Sequence, residues 1–245
     1  MLNFPRRWKF WKRLPRLERT VAELYSARLG QARVEEGEHY KLVRFEKDGK
    51  LDYDLYRKVQ TLGNREKLDW VSIQEENIAH LCRALESRIP DIRFVLCHGT
   101  RNAAEQKFFQ AHLKAPATIL GTEISDSACE FPMTIEWDFH EVKPEWSGAV
   151  DVVFSNSWDH TYDPHKLFPA WLSCLAPRGV MALEWTNKHA DTAESALDPF
   201  RAELDGLLAI LRAHDDGGRF SIELLEDLPL QGAGRRLFVL MQRQR

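Results

Sequence analysis

The stretch Arg93–Phe109, RFVLCHGTRNAAEQKFF, decides the fold. Its first half, Phe94 to His98, is an apolar run short enough for a strand buried on both faces. Its second half, AAEQKFF, has helical spacing. Between them stands one glycine, Gly99, which can adopt a positive φ and let a ligand approach the backbone. A strand, a tight turn and a helix in that order open a βαβ unit.

The same alternation continues to the C-terminus. Working outward, ATILGTEI (117–124) and MTIEWDF (133–139) read as further strands, as does AVDVVFSNS (149–157). PHKLFPAWLSCLAP (164–177) reads as a helix, GVMALEWT (179–186) as a strand and PFRAELDGLLAILRAH (199–214) as a helix. FSIELLED and RRLFVLMQR follow with no helix between them and are expected to form an antiparallel edge hairpin. This order predicts a doubly wound α/β domain over 91–245, with a mostly parallel seven-stranded sheet and an antiparallel C-terminal hairpin.

Residues 1–90 read as a mainly helical appendage with one hairpin. The hairpin turns at Asp48-Gly49, and helices surround a break at Gly63-Asn64. Ser72 and Glu75 have the spacing of a capping box. Residues 6–19 carry seven basic side chains against one acid, Glu18, interleaved with Trp8, Phe10 and Trp11. Such a mixture suits either a peripheral contact with an anionic membrane through residues 4–19 or packing onto the domain or a second copy as a homodimer.

Composition bounds the function classes. A chain of 245 residues with a net charge of −3 has no overall nucleic-acid footprint, so no nucleic-acid partner is expected. Cys82, Cys97, Cys129 and Cys174 form no CxxC pair and read as free thiols of a reducing compartment. With no secretory signal pattern and no long apolar segment, a cytoplasmic location is expected, at the inner face of the membrane if residues 4–19 anchor the chain.

Glu123, at the end of the second strand of the series and about two dozen residues beyond Gly99, has the spacing of an acid that binds a ribose diol. Together these segments resemble the class I S-adenosylmethionine-dependent methyltransferases. VLCHGTRNAAE stands where that family has its glycine-rich motif. ILGTEIS matches its acidic strand end, and TIEWDFHEV its third-strand region. DVVFSNSWDHTYDPHKLFPAWLSCLAPRGVMALEWT resembles its fourth strand, loop, helix, Pro-Gly turn and fifth strand. The likeness covers about three-fifths of the chain, from Arg93 to Arg243.

The resemblance implies S-adenosyl-L-methionine as cofactor. Gly99 and Thr100 would face its methionine part, and Arg101 its carboxylate. Glu123 would hold the ribose hydroxyls, with Ile124 beside it. Asp138 would meet the adenine amino group, Phe139 the ring, and Asn156 and Ser157 the floor. Two departures stand out: Cys97 replaces an acid, and Arg101 and Ala103 occupy the second and third glycine positions.

In-line methyl transfer to oxygen needs an aligned acceptor and a base. His160 is the expected base, since its ordinary pKa lies near neutrality, with Asp159 orienting it and His189 as a second choice. Asp159, His160, His165 and His189 are the residues that would have to converge on a cation, but no HxxxH or HxH spacing supports them, and no metal is expected. The acceptor is expected to be small or glycan-like, because DYDLYRKVQTLGNREKLDW offers aromatic faces and hydrogen-bonding groups. A non-catalytic methyltransferase-like domain that binds a partner protein is the alternative, and a dehydrogenase-like nucleotide-binding protein is a third reading.

Overall fold

The computed structural model describes residues 33–187, 196–215, 217–232 and 234–244. The strand-rich half begins at β5 (Phe94–His98) and continues with β6 (Thr118–Glu123), β7 (Thr134–Glu136), β8 (Val150–Ser155) and β9 (Leu175–Thr186). After β10 (Phe200–Ala202), the chain closes with β11 (Phe220–Leu225) and β12 (Arg236–Arg243). Seven of these strands form one sheet in the order β11-β12-β9-β8-β5-β6-β7. The five central-to-edge strands β9, β8, β5, β6 and β7 are parallel, and β12 and β11 are antiparallel.

Period-two side-chain alternation explains why these strands are apolar throughout. Val95, Cys97, Val152, Phe154, Val180, Ala182, Phe238 and Leu240 point to one face. There they meet α2 (Glu75–Glu86), through Ile78, Leu81, Cys82 and Leu85, and α3 (Ala104–His112), through Phe109. Leu96, Val153, Met181, Leu183, Leu237, Val239 and Met241 point to the other face. That face is covered by α4 (Pro164–Cys174) and α5 (Leu204–Ala213). The α2 side chains thus share a core with β5, across the boundary expected at residue 90. All four cysteines are free thiols.

The described part of the appendage starts with strands: β1 (Arg33–Glu36), β2 (Tyr40–Arg44), β3 (Glu46–Lys47) and β4 (Lys50–Leu51). β3 and β4 form the expected hairpin, with Asp48 and Gly49 both at positive φ. α1 (Tyr53–Glu66) then runs unbroken through Gly63-Asn64, where a break was expected. Gly63 is accommodated because Leu197 packs where its side chain would stand, 2.4 Å from an ideal Cβ. The Ser72–Glu75 capping box does not form. The helix starts at Glu75 after Gln74, and the Ser72 hydroxyl instead accepts from Asn156 Nδ2 at 3.1 Å.

One further element differs from the sequence expectation. Residues 200–202 form β10 rather than the start of a helix, and they pair antiparallel with Tyr40–Leu42 of β2. Phe200 and Ala202 are buried in the core by that pairing, and the helix begins only at Leu204. The small β1-β2-β10 sheet therefore ties the appendage to the main domain. Among the described residues no helix is long and apolar enough to cross a membrane. Residues 4–19 and His189 lie outside the described residues.

Candidate functional site

Chain order reverses between β5 and β8. From β5 the chain builds outward through β6 to β7, then returns to place β8 on the other side of β5. In an open α/β sheet the crevice beyond the strand ends at such a point is where ligands bind. The turns after β5 and β8 meet there. Gly99 has φ +74°, and its amide and that of Thr100 donate to the Thr122 carbonyl at 2.9 and 3.0 Å. A Cβ on Gly99 would lie 2.8 Å from Ser157 Cβ, so the two turns approach too closely for any side chain there. Ala103 also sits in the left-handed region, at φ 60°.

A cleft opens at this place, between the strand-end turns and α1. Its walls come from α1 (Tyr56, Gln60, Gly63, Asn64), the strand-end turns (Gly99, Arg101, Glu123, Ile124) and the loop residues Phe139, Ser157 and His160. Lys67, Thr122, Trp137 and Leu197 complete it. The structure thus brings Gly99, Arg101, Glu123, Ile124, Phe139, Ser157 and His160 to one cleft.

Thr100, Asp138, Asn156 and Asp159 lie outside this lining. Thr100 is buried and accepts from Gln106 Nε2 at 2.9 Å. Asn156 reaches across to Ser72. Asp138 accepts from the His140 backbone amide at 2.9 Å and lies 2.7 Å from His140 Nδ1. The other ring nitrogen of His140 lies 2.7 Å from the Thr161 hydroxyl, so Asp138, His140 and Thr161 form a bonded chain beneath Tyr162.

Glu123 is 7% exposed. Its Oε1 accepts from the Ser125 amide at 3.0 Å. Burial pushes its carboxyl up to about 7, against the pull of the Ser125 amide and the Arg101 charge. Arg101 lies along the wall, with its guanidinium 5.7 Å from the Trp70 ring centroid and Nη1 donating to the Trp70 carbonyl at 3.3 Å. Its Nε is buried with no hydrogen-bond partner. Burial lowers its pKa, opposed by Glu123, Glu105 and Asp198. Asn102 donates to the carbonyls of Leu68 and Trp70 and clamps the turn to the segment following α1.

His160 is held by a residue that the sequence reading did not single out. Gln60 donates from Nε2 to the carbonyls of Ala196 and Leu197, at 3.3 and 3.1 Å. That fixes its Oε1 toward His160 Nδ1, at 2.8 Å. A carbonyl oxygen only accepts, so Nδ1 carries a hydrogen and neutral His160 presents its lone pair at Nε2. Nε2 lies 3.5 Å from Asp198 Oδ1. Asp159, buried beside them, has its carboxyl pushed up to about 6 by burial and by the Asp198 charge, against the pull of His160 and Lys67. His165 faces His214 instead, at 3.1 Å. Gln60 was legible only as one of several polar residues on a helix, and Asp198 carried no motif at all.

Solved structures with this arrangement of elements include several methyltransferases. The 1,6-didemethyltoxoflavin-N1-methyltransferase of Burkholderia thailandensis, solved with S-adenosylhomocysteine, superposes with a TM-score of 0.56 at 12% identity, over 87% of this chain and 99% of its own. The fold is that of the S-adenosylmethionine-dependent methyltransferases. The sugar N-methyltransferase KedS8 of Streptoalloteichus matches this methyltransferase fold at TM-score 0.51 and 15% identity, over 82% of this chain and 95% of that one. An S-adenosylmethionine-dependent methyltransferase of Mesorhizobium loti matches it at TM-score 0.50 and 15% identity, over 72% and 100%. No protein-family model and no curated protein sequence matches the chain.

Proposed function

We propose that this protein is an S-adenosylmethionine-dependent methyltransferase acting on a small, polar, hydroxyl-bearing acceptor. The observation that carries the reading is Glu123: a buried carboxylate at the end of β6, lining the same cleft as the Gly99 turn and Phe139. A ribose diol would donate to its carboxylate and offset the cost of burying that charge. Phe139 offers a face for the adenine. The unpartnered Nε of Arg101 suits the cofactor's carboxylate, replacing contacts that glycines leave to the backbone in the family. Asp138 would reach the adenine amino group only by giving up part of its bonding to His140.

The acceptor would enter beside His160, under the roof formed by α1. Tyr56, Gln60, Asn64 and Lys67 line that part of the cleft, and this mixture of aromatic and hydrogen-bonding groups suits a sugar-like molecule. The sugar N-methyltransferase among the fold neighbours supports that class of acceptor. Bound S-adenosylmethionine would supply the methyl group, with the acceptor oxygen in line with the S–CH₃ bond that breaks and its hydroxyl proton passing to an adjacent water. The protein's part is alignment and exclusion of bulk solvent.

Arg101 also bears on the rival reading of a non-catalytic domain. It lies along the cleft wall on Trp70, leaving the space beside Glu123 and Phe139 as cleft. Calorimetric titration with S-adenosylmethionine and S-adenosylhomocysteine tests the proposal. Micromolar binding that is lost in Glu123→Ala supports it. A folded protein that binds neither ligand refutes it and favours the partner-binding domain.

A further inference from the structure

The geometry points to a divalent-cation site formed by Asp159, His160 and Asp198, of which His160 lines the acceptor end of the cleft. One ligand atom from each of the three lies within 4.8 Å of the others. They come from separate places. Asp159 and His160 sit on the 3₁₀ turn Trp158–His160 after β8, and Asp198 precedes β10.

The decisive feature lies outside the cluster. Gln60 is itself pinned by two backbone carbonyls and takes the Nδ1 hydrogen of His160. In the neutral ring the lone pair then lies at Nε2, which faces Asp198. With the ring neutral, one nitrogen and two carboxylate oxygens lie within 4.8 Å of one another, a set of donors that a divalent cation would bridge. Metal-bound histidines characteristically donate their other ring hydrogen to a fixed oxygen in this way. The 3.5 Å between Nε2 and Asp198 Oδ1 is long for a hydrogen bond. It is near the separation of about 3 Å expected for adjacent ligands on a cation with bonds of about 2.1 Å.

Two carboxylates and one imidazole form an oxygen-rich donor set that suits magnesium or manganese, with the remaining positions held by water. A hydroxyl of the acceptor would replace one water and become more acidic on the cation. The cation site stands independently of the methyl-transfer reading. Only its role as an anchor for the acceptor rests on that reading.

Manganese(II) titration of the full chain, followed by electron paramagnetic resonance, tests the site, with S-adenosylhomocysteine binding measured on the same samples. One manganese per chain is expected, displaced by excess magnesium. Asp198→Asn and Gln60→Leu should each weaken it by about tenfold or more. In wild-type protein labelled with ¹⁵N-histidine, bound manganese should broaden the His160 ring signals selectively, which keeps the test informative if a variant fails to fold. No binding at millimolar manganese by folded protein overturns the cation site and makes His160–Asp198 a proton-bound ion pair. Manganese binding that spares the His160 signals, or that is unchanged in a folded Asp198→Asn protein, equally overturns it. Manganese binding without S-adenosylhomocysteine binding keeps the cation site and refutes the methyltransferase proposal.

Discussion

Replacing Glu123 by glutamine should change how stability depends on pH, by an amount the burial of this one carboxyl sets. Its pKa is raised from an ordinary 4.5 to about 7, chiefly by burial. The folded state therefore holds a proton that the unfolded chain has released. This group's contribution is most favourable below pH 4.5 and is lost as pH rises through about 7. Linkage makes the loss about 0.8 kcal/mol at pH 5 and about 3.3 kcal/mol at pH 8. Glutamine does not titrate, so it avoids that loss. Its own misfit, an amide where Asn64 and the Ser125 amide donate, adds a term independent of pH. Relative to wild type, the variant should thus gain about 2.5 kcal/mol between pH 5 and pH 8. Urea denaturation of both proteins at a series of pH values measures this. Other buried acids, such as Glu184, titrate in both proteins and cancel in the difference. A difference that stays flat within about 0.5 kcal/mol, or that moves the other way, would refute the assignment of a costly buried charge to Glu123. The same titration bears on ligand binding. Because the ribose diol needs the ionised carboxylate, cofactor affinity should rise with pH up to about 7 and then level off, and Glu123→Gln should abolish that rise.

Three further substitutions test the turns around the cleft. Gly99→Ala combines a positive φ with a Cβ 2.8 Å from Ser157; thermal or urea unfolding should show a loss of about 2 kcal/mol or more, and a loss below 0.5 kcal/mol would contradict the close approach of the two turns. Ala103→Gly should do the opposite, relieving the left-handed backbone at φ 60° and stabilising the fold by about 0.5–1 kcal/mol. Arg101→Ala should weaken S-adenosylhomocysteine binding by about 10- to 100-fold while leaving 5′-methylthioadenosine, which lacks the carboxylate, unchanged. Tighter binding of both ligands would mean that the arginine obstructs the cleft.

The alternation of apolar strands and amphipathic helices from Phe94 onward determined the sheet, because strands buried on both faces must be apolar at every position and the crossovers must be helical. The turn at Gly99 and the acid at Glu123 were legible for the same local reason: each lies at a strand end, where spacing alone fixes its place. The hairpin at Asp48-Gly49 needed only a backbone preference. What local pattern could not supply was partners distant in the chain. Residues 200–202 have helical spacing, yet they form β10 because β2, some 160 residues earlier, offers an open edge and buries Phe200 and Ala202. Gly63-Asn64 read as a break, but packing of Leu197 against the missing side chain keeps α1 continuous. Ser72 has a capping spacing, but Asn156 engages its hydroxyl. The site follows the same division. His160 stood out as a titratable residue in a loop, whereas its tautomer depends on Gln60 and its facing carboxylate on Asp198. Those residues lie 100 and 38 positions away, and only the closure of α1 and β10 over the end of the sheet brings them together.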